Sequence, residues 1–141
     1  MPLKTADQLG ISEQWRCALI KTLAAMQEGR LFHVSTQNIA GKVKPDTPAS
    51  QEANFGGGFN MGLWRVGTHH CGTIACIGGT AEMLGNCQIT GNTLPKNLDN
   101  LFCPSEITDW NRITPQQATR ALSNYLETGS ANWHKAMETK R

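Results

Sequence analysis

A chain of 141 residues, 39% apolar and 17% charged, has the composition of one folded domain, which excludes disordered and fibrous classes. Thirteen Lys/Arg against eleven Asp/Glu leave a formal net charge of +2, spread over both halves with no basic stripe, which argues against nucleic acid as a partner. No run approaches the roughly 18–20 apolar residues of a membrane helix, and Met1–Asp7 carries no apolar signal segment.

The expectation is therefore one cytoplasmic domain over residues 1–141, with no membrane association. Cys17, Cys71, Cys76, Cys87 and Cys103 are odd in number and irregular in spacing. That pattern reads as reduced thiols rather than a disulfide framework.

In chain order, Ser12 is a good helix cap. Trp15, Ala18, Leu19, Leu23 and Met26 then recur at helical spacing until Gly29, which predicts an amphipathic helix over 13–28. Leu31–Val34 reads as a short strand or extended segment. From there to residue 70, Gly41, Pro45, Pro48 and the Gly56-Gly57-Gly58 run allow no helical period. The region reads as a long irregular connection, most mobile over 41–58.

Residues 73–84 are apolar or small nearly all round, interrupted only by Thr73, Thr80 and Glu82. This predicts a buried central helix, with Gly78 and Gly79 letting a neighbour approach. A short helix is expected over 95–102. A longer one is expected over 115–128, started by Thr114, Pro115 and Gln117 and stopped by Gly129. Ser130 then caps a last turn carrying Trp133 and Met137. The fold class expected is mainly α: a compact helical domain around the helix at about 73–84, with at most minor β.

The densest concentration of reactive residues is His69-His70-Cys71-Gly-Thr-Ile-Ala-Cys76. Cys71 would lie at the start of the buried helix, where the helix dipole favours a thiolate, and His70 precedes it. Cys71 and His70 are thus the candidate catalytic pair if the protein is a thiol-dependent enzyme. Core packing of both cysteines is the competing reading. His33 and His134 are the distant residues able to supply a base.

His69, His70, Cys71, Cys76 and Cys87 also offer enough nitrogen and sulfur for zinc, without the familiar knuckle spacing. No metal and no cofactor is therefore assigned. Phe55-Gly-Gly-Gly-Phe59 lacks the Lys-Ser/Thr of a phosphate loop and reads as a flexible loop or a close backbone approach. Asp99, Glu106 and Asp109 read as a solvated polar turn rather than a cation site. Trp15, Trp64, Trp110 and Trp133 are large anchors, core or half-buried, and any exposed one suits an interface.

Phe59-Asn-Met61 and Trp64, followed by Cys71-Gly-Thr-Ile-Ala-Cys76-Ile-Gly-Gly-Thr-Ala81, resemble a pattern in small uncharacterised proteins of bacteria and their phages. Leu101–Pro104, Ile113–Ala118, Leu126–Gly129 and Trp133 extend the likeness, with Gly79 where a Trp is often found. The resemblance implies a compact helical fold and a phage or mobile-element setting, and it brings no catalytic residue. The leading expectation is a protein acting through protein–protein interaction or self-association without catalysis. The alternatives are a Cys–His enzyme using Cys71 and a Cys/His metal-binding module.

Overall fold

A computed structural model describes residues 3–33, 55–61, 65–67, 73–85, 87, 89 and 93–138. The architecture is mainly helical. Its helices are α1 (Ala6–Leu9), α2 (Glu13–Gln27), α3 (Ile77–Gly85), α4 (Lys96–Phe102), α5 (Pro115–Thr128) and α6 (Trp133–Ala136). A small sheet is built from β1 (Phe32–His33), β2 (Phe55–Phe59), β3 (Arg65–Gly67) and β4 (Thr73–Ala75). No helix among the described residues is long and apolar enough to cross a membrane.

The helix starts follow the capping chemistry of the sequence. Ser12 Oγ accepts from the Trp15 amide at 3.1 Å. Thr114 and Gln117 form a reciprocal box, each side chain accepting from the other's amide at 3.2 and 2.9 Å. Pro115 occupies the first helical position, and Gly129 ends α5 at φ +88°. There the left-handed backbone would cost any L side chain about 1–2 kcal/mol. The last turn departs from expectation. It is entered from Asn132 in a left-handed conformation rather than capped by Ser130. Helix α1 is an addition, nucleated by a second capping box between Thr5 and Gln8.

The sheet order is β1-β2-β4-β3, with β1, β2 and β4 parallel and β3 antiparallel to β4. The triple-glycine run, expected as a flexible loop or close approach, lies in β2 between two parallel neighbours, with a register shift between Phe55 and Gly58. The helix expected over 73–84 begins at Ile77, because Thr73–Ala75 is strand. A short apolar run is compatible with either state, and β-branched Thr73 and Ile74 suit the extended one. Of the expected irregular connection, residues 34–54, 62–64 and 68–70 lie outside the described residues.

Ile77, Gly78, Gly79, Thr80, Ala81, Glu82, Met83 and Leu84 of α3 are all buried. Helix α2 lays Ala18, Leu19, Thr22, Leu23, Ala25 and Met26 against α3 and α5. Helices α2 and α3 come close at Gly85, where a Cβ would overlap the Ala18 methyl and stand 3.1 Å from the Ala18 Cα. Ala118, Ala121, Leu122, Tyr125 and Leu126 of α5 join the same core. Each fully buried Leu contributes about 1.5–3 kcal/mol. Trp133 is fully buried and donates its indole N–H to the Asn100 carbonyl at 3.0 Å, tying α6 to α4. At the other end, the Lys4 amide donates to the Leu126 carbonyl at 2.7 Å, and Arg16 Nε donates to the Lys4 carbonyl at 2.7 Å.

Candidate functional site at the start of the central helix

The parallel register sets His33, Phe59 and Ala75 in one row across β1, β2 and β4. The next residues along β2 and β4 are Asn60 and Cys76. Both are buried at the carboxyl edge of the parallel strands, whereas His33 is exposed. That edge is where open parallel sheets commonly place ligands.

Cys76 is the capping residue of α3: its carbonyl accepts the Thr80 amide at 2.9 Å, the first bond of the helix. Its sulfur takes backbone hydrogen bonds from Gly79 and Gly78. Desolvation still dominates, pushing the thiol up to about 12, and the nearby Cys103 pushes the same way, while the two amides pull it down. The helix start supplies the electrostatics expected of an activated thiol, but water is excluded and the proton stays on sulfur. Cys76 therefore works as a neutral cap. Gly78 and Gly79 present the two amides that the sulfur accepts.

Cys71 and His70, the candidate catalytic pair, lie outside the described residues, as do His69 and Trp64. Of the expected zinc ligands, Cys76 and Cys87 are described and buried. Burial, and then the Glu82 carboxylate, push the Cys87 thiol upward. The described residues hold no group of three or more His, Cys, Asp or Glu arranged to bind a metal. His134 is exposed on α6. Asp99, Glu106 and Asp109 are all exposed. Glu106 accepts from Asn100 at 2.8 Å, and Asp109 pairs with Arg112 at 3.6 Å.

The buried polar groups are the residues that sequence reasoning passed over. Glu82 stood out only as an interruption in an apolar run, yet it is wholly buried and Oε2 accepts the Ile89 amide at 2.6 Å. With the Cys87 amide on the Glu82 carbonyl at 3.2 Å, this one residue closes the turn after α3. A buried carboxylate is tolerated when such bonds replace its water. Two buried hydroxyls, Thr80 Oγ1 and Tyr125 OH, have no hydrogen-bond partner among the described residues. Burial raises the Tyr125 phenol to about 12. Asn60 and Glu82 both carried a detectable signal: Asn60 is a polar residue between Phe59 and Met61, and Glu82 is the one charged residue between positions 73 and 84.

No family model matches the chain, and no curated protein or solved structure matches it. The likeness to small bacterial and phage proteins therefore rests on its motif alone.

Proposed function

We propose that the protein is a non-catalytic binding protein that acts in the cytoplasm, in a phage or mobile-element setting, through contact with another protein or a second copy of itself. The observation that carries this reading is a set of large apolar side chains that pack against the core yet stay only partly buried. Trp15 and Trp110 are each only partly buried, as are Ile11, Ile20 and Ile107. Tryptophans held rigidly at a surface are the side chains that most often anchor protein interfaces. Trp110 is held in this way, its indole N–H shared between the Pro104 and Ile107 carbonyls at 2.9 Å each. The helix start expected to activate Cys71 lies instead at Cys76, five residues further along.

Sedimentation of the purified chain, and affinity capture from its own host cells, test the proposal. A dimer, or a stoichiometric protein partner, is expected, and Trp15→Ala or Trp110→Ala should abolish the association while leaving the circular dichroism unchanged. A monomer without a partner, showing turnover that is lost in Cys71→Ser, would establish the thiol enzyme instead. About one zinc per chain by elemental analysis, with loss of stability on chelation, would establish the metal module.

A further inference from the structure

We draw no further inference here: the strongest candidate, the buried Cys76 sulfur at the start of α3 beside Asn60 on the carboxyl edge of the parallel strands, rests on a helix N-terminus and a single cysteine, with no second observation pointing to a ligand.

Discussion

At the scale of single residues, Cys76 reverses an expectation drawn from its neighbours. Among Ala75 and Ile77, a serine at this position looks costly, because a hydroxyl placed in an apolar site needs a partner. In the fold, the partners are waiting: the Gly78 and Gly79 amides already hydrogen-bond the sulfur. Cys76→Ser should therefore lose less than about 1 kcal/mol, since serine is a preferred cap. Cys76→Ala should lose about 2 kcal/mol, because it leaves buried amides unpaired. Urea unfolding of the two variants measures the difference, and equal losses would refute the capping role. The same burial sets a pH dependence. Cys76 and Tyr125 ordinarily ionise at 9.0 and 10.0, and both are raised to about 12 in the fold. The unfolded chain therefore releases these protons first as pH rises. Stability should stay level up to about pH 9 and decline from there toward 12, read as falling urea midpoints. Iodoacetamide should reach the exposed Cys17 and Cys103 in the folded protein and Cys76 only after unfolding.

At the scale of elements, sequence reading succeeded where local chemistry decides the outcome. Helices α2 and α5 carry their own caps, stops and apolar stripes, and they form within a residue or two of the expected bounds. Thr5 and Gln8 carry the same capping signature, so α1 was equally readable from its residues. Of the sheet only β1 was read, as the short extended segment over Leu31–Val34, because β2, β3 and β4 have three to five residues and no alternation to detect. Tertiary pairing, rather than local preference, makes the glycine-rich Phe55–Phe59 extended, and at Thr73–Ala75 it adds to the preference of β-branched Thr73 and Ile74. The contact between α2 and α3 offers a sharp test. Gly85→Ala forces a methyl into Ala18 and should cost about 1–3 kcal/mol by overpacking. Adding Ala18→Gly removes the overlapping methyl, though not the tight contact with the Cα, and should recover part of that loss in a double-mutant cycle. At the end of the same helix, Glu82→Ala removes the carboxylate that accepts from the buried Ile89 amide and should cost about 1–3 kcal/mol. Strictly additive losses at Gly85 and Ala18, or a neutral Glu82→Ala, would show these contacts to be incidental.

For the molecule as a whole, the helical class followed from the sequence, while the placing of Asn60 and Cys76 at one edge of the sheet followed only from the fold. No spacing rule connects a residue after one strand with a cap after another, and pairing across the sheet brings them together. That same pairing has a consequence in time. Phe32 joins Gly58, and Phe55 joins Thr73, so every rung between parallel strands closes a long stretch of chain. Helices α5 and α6 instead are joined by a turn of four residues, with Asn124 Nδ2 donating to the Ala131 carbonyl only seven residues away. Because closing long loops loses entropy before contacts compensate for it, the carboxyl-terminal helices should assemble first and the sheet last. Leu122→Ala should then slow folding, whereas Phe59→Ala should leave the folding rate nearly unchanged and hasten unfolding. Stopped-flow folding and unfolding arms read both effects directly. The sheet edge that carries Cys76 would thus be the last part of the protein to form and the first to open.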